Sequence, residues 1–267
     1  MTQNTATKRT HPPLICLLLV LFVTQACVTV NGWGKRDIVG GYEEGEYKNG
    51  LLQGYGKRYE KRGYYRRIFL KEEGIYKYGL LNGEGKRFSG RAEPRSYEER
   101  MEGSSFIKEE GSYRDGMLDG EGKQYHDNEK ISKEGIFKGG KLNGNGKEYH
   151  DNGVLSKEGI FKNGGLEGFN KVYGSDGRIS EEGTFKEGKL NGEGKRYVSV
   201  AEETLKEGKI VHVTLRPSEE GLYKEGKLDG KGKRYHANGK LAEEGMFKEG
   251  SLEGEGKRYH DNGKLVE

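Results

Sequence analysis

Apolar and polar residues alternate along this chain in short runs that restart at a fixed interval. Residues 134–155 read E-G-I-F-K-G-G-K-L-N-G-N-G-K-E-Y-H-D-N-G-V-L, and the pattern begins again at Glu158. The frame E-G-x-[FY]-[KR]-x-G-x-L-x-G-x-[GN]-K-x-[YF] occurs eight times, led by Gly45, Gly74, Gly111, Gly135, Gly159, Gly183, Gly221 and Gly245. The steps between them are 29, 37, 24, 24, 24, 38 and 24 residues, which defines a 24-residue unit with three inserts. Self-similarity at such a period is the mark of a repeat architecture.

Each unit carries two turn signals. Asn152-Gly153, Asp176-Gly177, Asn238-Gly239 and Asn262-Gly263 mark one, and Asn-Gly predicts a type I′ hairpin turn with two residues at positive φ. The segment K-x-G-x-L-x-G, as at 186–192, marks the other. Two turns leave two strands of about six to eight residues, one through Leu155, Gly159 and Phe161, the other through Gly168, Lys171 and Tyr173. The expectation is an all-β fold: an elongated, single-layer antiparallel β-meander of about eight hairpin repeats and sixteen strands, on the order of 75 Å long.

The glycine pair in G-x-G asks for a reason, because glycine weakens a strand unless close approach is wanted. Aromatic rings lying over bare main chain would provide one. On that reading Phe137, Phe161, Phe185 and Phe247, with Tyr149, Tyr173, Tyr197 and Tyr259, form two ladders on one face. Leu142, Leu166, Leu190 and Leu252 tuck under the turns. Phe169 and Asn170 break the frame in the fifth unit and predict a local kink or a special surface.

Composition sharpens this picture. The hydrophobic fraction is 31%, below the roughly 45–50% of globular domains, and charged residues reach 34%. Stacked units need no large central core, so regular aromatics and low hydrophobicity are compatible. The net charge is only +4, with signs interspersed; nucleic acid calls for a clustered basic face and is excluded as a partner. Cys16 and Cys27 are the two cysteines, which rules out a disulfide framework in the array.

Lys8 and Arg9 precede a ten-residue apolar run at 14–23, followed by small residues. That order reads as a secretory signal peptide over 1–32, with a signal anchor as the alternative, because about 20 apolar residues are needed to span a membrane. A cut after Gly32 would leave Trp33 first; a cut after Ala26 would leave Cys27 first. The latter looks like a lipoprotein signal, but Thr24 stands where a branched aliphatic residue is wanted. The division is then 1–32 signal, 33–43 linker and 44–267 repeat array. Secretion or residence in the secretory lumen is expected, and membrane anchoring is the alternative.

The units resemble MORN repeats, in particular a 24-residue variant also seen in bacterial YwqK-type antitoxin-like proteins. The resemblance covers nearly everything from residue 44 onward. It implies a sheet of hairpins that acts as a scaffold or oligomerisation platform, with acidic phospholipid as a further candidate partner and self-association through sheet edges. The kinase, methyltransferase or transmembrane domains that accompany many such arrays are not seen in the sequence. An immunity-like protein that caps a toxin is the alternative.

Inserts into repeats are where binding tends to concentrate. The three lie near 60–71, 89–108 and 198–217. The first is basic and aromatic and offers Tyr64, Tyr65, Arg66 and Arg67 as contact residues. The third alternates apolar and polar residues, reads as a hairpin lengthened beyond the sheet edge, and offers Val211, His212 and Val213. The second contains Pro94 and reads as a loop. Plain loop growth is the competing reading, since lengthening a surface loop costs little.

No catalytic, cofactor or metal residues emerge. His126, His150, His236 and His260 recur once per unit just before a turn. Copies two strands apart lie about 9–10 Å from one another, too far for one ion to bridge, so they read as polar turn residues. Neighbouring glutamates such as Glu181 and Glu182 point opposite ways in a strand, and an open ribbon offers no deep pocket. A non-enzymatic protein is expected. The Lys-Arg pairs at 57–58, 86–87, 195–196, 233–234 and 257–258 split across the two faces and read as solvated charge. Gly-Lys-Arg occurs six times, first at 34–36, and admits a minority reading as a peptide-hormone precursor cut at dibasic sites.

Overall fold

The computed structural model describes residues 31–62, 67–90, 105–202 and 212–266. Residues 1–30 of the expected signal segment and the tips of the three inserts lie outside them. Seventeen strands follow in chain order: β1 (Gly32–Ile38), β2 (Gly41–Lys48), β3 (Leu51–Arg62), β4 (Arg67–Lys77), β5 (Leu80–Gly90) and β6 (Ser105–Arg114). Then come β7 (Met117–Tyr125), β8 (Ile131–Lys138), β9 (Lys141–Tyr149), β10 (Leu155–Lys162), β11 (Gly165–Tyr173) and β12 (Ile179–Lys186). The last are β13 (Lys189–Glu202), β14 (His212–Lys224), β15 (Lys227–Tyr235), β16 (Leu241–Lys248) and β17 (Ser251–Arg258). Each pairs antiparallel with its sequence neighbours, giving one open sheet, an all-β meander of hairpin repeats.

The expected linker at 33–43 is instead sheet. Gly32–Ile38 pairs with β2 in continuous register, with Gly34 opposite Gly45 and Lys35 opposite Glu44. The triplet Gly34-Lys35-Arg36 is the second-strand signature of the repeat, and among the described residues no first strand precedes it. This half-unit makes the count seventeen rather than sixteen.

The type I′ turns lie at the opposite end of each hairpin from the one predicted. Asn49-Gly50, Tyr78-Gly79, Asp115-Gly116 and Asn163-Gly164 each have both residues at positive φ, as that turn demands. At 151–153 Gly153 alone is positive. There the Gly153 N–H donates to His150 O at 2.8 Å, and the His150 N–H donates to Val154 O at 2.9 Å. That is a three-residue loop with a left-handed glycine. We call the two sides the tight edge and the loop edge.

The core is a single row. Phe137, Leu142, Phe161, Leu166, Phe185 and Leu190 are all at most 2% exposed, and Tyr47, Tyr76, Tyr113, Tyr223 and Phe247 continue the row. Phe137 faces Leu142 and Gly135 faces Gly146, so four steps of β9 span two of β8. This bulge lets the leucine fold back. Its Cδ2 lies 2.9 Å from where a Cβ on Gly146 would be.

The glycines are needed chiefly for backbone contact, which corrects the ring-over-glycine expectation. A Cβ on Gly74 would sit 2.5 Å from both the Glu84 carbonyl oxygen and the Gly85 Cα. Leucine methyls cover most second glycines, and rings come close at only a few, such as Phe247 over Gly232 at 3.3 Å. The two aromatic ladders also lie on opposite faces rather than one. The Tyr149 hydroxyl donates to Glu134, three residues before Phe137 and so on the other side of β8.

Candidate functional site

Alternation divides the conserved frame into a core face and a second face with a groove. On the groove face a row of lysines and glutamates crosses the whole sheet. Lys35, Glu44, Lys57, Glu73, Lys86 and Glu110 face one another in turn from β1 to β6. The same alternation continues through Lys147 and Glu158, and through Lys195, Glu220, Lys233 and Glu244. Contacts include Lys86–Glu110 at 3.2 Å and Lys195–Glu220 at 3.4 Å.

The second aromatic ladder lies beside this row. Tyr59 donates to Glu44 at 2.8 Å and Tyr259 to Glu244 at 2.7 Å, and Tyr125, Tyr197 and Tyr235 do the same with Glu110, Glu182 and Glu220. Burial, reinforced by the carboxylate each hydroxyl faces, pushes Tyr125, Tyr149, Tyr197 and Tyr235 up to about 12. The tyrosine hydroxyls in turn hold Glu110 and Glu220 below the ordinary carboxylate value.

Two residues along each strand, across the bare glycine pairs, lies a parallel row in which exposed apolar side chains alternate with polar ones such as Glu121, Asn145, Glu193 and Lys231. It contains Trp33, Ile75, Ile136, Ile160, Leu222 and Met246. Phe169 belongs to it and is 72% exposed. The strip between the rows has no side chains, and this makes a groove. Across β11 to β17 it encloses 790 Å³, with Phe169 and Leu222 on one wall and Glu182, Lys195, Glu220 and Lys233 on the other. Smaller stretches of 340 Å³ at Asn145 and Lys147 and of 300 Å³ at Tyr55 and Lys86 continue it.

The special surface expected in the fifth unit is thus one end of the groove. Asn170 takes the place of the second glycine, and its Oδ1 fills the space a Cβ on Gly159 would need. Its Nδ2 donates to Glu167 O at 2.7 Å.

Four of the five arginines of the Lys-Arg pairs are not solvated charge; Arg258, 62% exposed, is. They point to the core face and alternate with glutamates there. Glu43 is 2% exposed, between Arg36 and Arg58; Glu72 lies between Arg58 at 3.0 Å and Arg87 at 2.9 Å. Glu109 follows Arg87, and the series resumes as Glu181, Arg196, Glu219, Arg234, Glu243 and Arg258. Arg36, Arg58, Arg87, Arg196 and Arg234 also cap core rings, for example Arg58 over Tyr76 at 5.5 Å and Arg234 over Phe247 at 5.1 Å. The split of each pair across two faces was legible from strand alternation; the arginine burial was not, because it depends on the ring of the next unit.

Tyr64, Tyr65, Arg66 and Val211 lie outside the described residues. Arg67 opens β4 opposite Arg62. His212 opens β14 opposite Glu202, with Val213 opposite Ala201. The third insert is a lengthened hairpin, as its alternation predicted. The first also extends its strands, pairing Glu60 with Phe69. The second does so briefly, pairing Ser89 with Phe106, where a loop was expected. These hairpins share the loop edge but rise from separate parts of the sheet.

The histidines bridge neighbouring units. Nε2 of His126 donates to Tyr149 O at 2.9 Å, that of His150 to Tyr173 O at 2.9 Å, and that of His236 to Tyr259 O at 2.8 Å. Beside them Asn128, Asn152 and Asn238 reach the carbonyls of the next loop. Among the described residues no group of three His, Cys, Asp or Glu side chains could hold a metal ion, and no helix is long and apolar enough to cross a membrane.

Comparison with known families gives two related matches. The MORN repeat variant matches residues 118–138, 142–163, 228–249 and 252–267. The MORN repeat matches 44–59, 73–89 and 182–197. The stretch with Phe169 and Asn170 falls between matched segments. No curated protein matches the chain.

Proposed function

On the premise that this chain is a MORN repeat protein, we propose that it is a non-catalytic scaffold of the secretory pathway. It holds an extended stretch of a partner protein in the glycine-floored groove. Such repeats are commonly binding modules, and the observation that carries the reading is the groove. Phe169, Leu222 and Met246 stand exposed along one wall, facing charges that already have partners on the neighbouring strand. Exposed apolar side chains set at intervals among charged ones, such as Glu193 and Lys231, suit an interaction surface that reads both. The regular spacing of the rows suits a chain crossing many strands.

Acidic phospholipid is the weaker partner. The lysines of the groove-face ladder each have a glutamate opposite, and Lys231 faces Met246 instead, so little positive field is left for a headgroup. Processing as a peptide precursor is also disfavoured. The Gly-Lys-Arg triplets lie within hydrogen-bonded strands, with Lys and Arg committed to opposite faces. A protease would first have to open the hairpin.

For secretion, the apolar run at 14–23 supports the reading. A cut before Cys27 leaves β1 whole, whereas a cut after Gly32 removes the partner of Tyr47. It also removes Asn31, whose Oδ1 accepts from the Asn49 N–H at 2.9 Å.

The test is secretion of tagged protein, intact mass of the product, and co-precipitation by three forms: unaltered, Phe169→Ser with Leu222→Ser, and a deletion of 198–217. The expected outcome is one secreted species beginning at residue 27, with a partner lost from the groove variant and retained by the deletion. Retention by the groove variant and loss from the deletion would move the contact to the third insert.

A further inference from the structure

On the core face every interior arginine works in both directions along the sheet. Nε of Arg58 donates to Glu43 of the strand before at 3.2 Å, and Nη1 donates to Glu72 of the strand after at 3.0 Å. Nη2 of Arg58 donates to the Gly79 carbonyl of the following tight turn at 3.0 Å. Arg196 repeats this with Glu181, Glu219 and Gly226 at 2.8, 3.2 and 2.7 Å. Arg87 and Arg234 do the same.

Arg36 in β1 makes only the forward half. Its Nη groups reach Glu43 and Gly50 O, while its Nε is shielded from water and has no partner among the described residues. Such a group is costly to leave unmade. Its counterpart elsewhere is always the glutamate of a preceding strand, and among the described residues β1 has none. The other face of β1 is also half complete: Lys35 has Glu44 on one side, and Trp33 is 66% exposed.

We propose that the edge of β1 that has no partner among the described residues is a docking site for an extended acidic strand of a partner protein, of the pattern Glu-Glu-Gly-apolar. The first glutamate meets Arg36 Nε and the second meets Lys35. The glycine lies opposite Gly34, where the backbones approach closely, and the apolar residue covers Trp33. Main-chain pairing gives affinity and the alternate side chains give selectivity, as in strand addition generally.

Two other occupants fit poorly. Residues 1–30 contain no Asp or Glu, so the preceding chain has no carboxylate to offer. The edge strand β17 of a second copy carries Lys257 and Arg258, which would face Lys35 and Arg36 as like charges. Lys35 and Trp33 begin the two groove rows, but Arg36 and the pairing edge of β1 lie outside the groove, so this site is tested independently of the proposed function.

The probe is a labelled synthetic peptide with the sequence of residues 218–224, Ser-Glu-Glu-Gly-Leu-Tyr-Lys. Its binding to the full secreted chain is followed by anisotropy and by amide hydrogen exchange. Saturable binding with new protection confined to 32–38 is expected. Glu219→Gln within the peptide should weaken it about tenfold, the loss of one charged hydrogen-bonded contact. Glu219→Lys with Glu220→Lys should abolish it. These changes leave the protein untouched, so misfolding cannot mimic the result. Phe169→Ser in the protein should change nothing. Equal binding of the lysine peptide, protection at the groove instead of β1, or no binding would each overturn the proposal.

Discussion

Between β1 and β6, and again between β12 and β17, the ladder positions of the core face are all Arg or Glu. Between β7 and β11 the same positions read Gln124, Lys133, Glu148, Lys157 and Val172. There the sign is inverted: Glu148 sits where arginine stands elsewhere, flanked by Lys133 at 3.0 Å and Lys157 at 2.8 Å. The groove face shows no such inversion. The two faces thus obey different constraints. The core-face series needs only local complementarity and can reverse as a block. The groove-face series keeps one phase through both regions.

The ring residues follow the ladder. Where Arg and Glu flank it, the core ring is mostly tyrosine, and its hydroxyl reaches the glutamate four residues earlier. Tyr47 donates to Glu43 O at 3.0 Å and Tyr76 to the Glu72 carboxylate at 3.4 Å. In the centre that residue is Lys133 or Lys157, whose side chain offers no acceptor, and the ring is Phe137 or Phe161; Phe185 and Phe247, which follow Glu181 and Glu243, depart from the correlation. Burying a hydroxyl without an acceptor costs free energy.

The largest effect should separate the two regions. Glu43→Ala leaves Arg36 and Arg58 without their shared carboxylate and should cost about 3–5 kcal/mol. Glu148→Ala should cost only about 1 kcal/mol, because Lys133 and Lys157 are long, half-exposed chains that can swing into water. Urea unfolding of the two variants reads the difference, and equal losses would break the comparison.

Next in size is a change that should ignore it. Gly74→Ala and Gly135→Ala both place a Cβ against the facing backbone at positive φ. Each should cost roughly 2–4 kcal/mol, overpacking added to strain. A markedly smaller loss at Gly135 would mean the centre is looser than its backbone register indicates.

The smallest effect per residue is alkaline. The groove-face tyrosines Tyr125 and Tyr149 of the centre, and Tyr197 and Tyr235 of the C-terminal part, have folded values raised to about 12. Their contribution is fully present below the unfolded value of about 10 and is lost as pH rises from there through 12. Melting temperature should fall over that window, with tyrosinate absorbance rising in step. Hydrogen exchange should loosen both regions together, and early loosening of one alone would show that the groove-face ladder is not uniform.

Much of this was legible in the sequence. The 24-residue period, the two turns per unit and the Phe137–Leu142 core follow from spacing alone. The half-unit at 33–43 escaped notice because a lone Gly-Lys-Arg lacks the aromatic and leucine that make the frame recognisable. The facing of the tyrosine ladder was missed because Tyr149 and Phe161 look equivalent on paper, and only the strand pairing separates them. The groove was invisible for a related reason: it is made by absent side chains.

The loop-edge bridges give the chain a direction. A histidine such as His126 closes on a carbonyl 23 residues downstream, so a unit emerging from the ribosome cannot complete its own loop until its successor has been made. The Gly140 N–H closes back onto Leu118 O, so the successor must likewise find a finished predecessor. Nearest-neighbour coupling of this kind makes growth a procession in which the newest hairpin is always the one left unlatched.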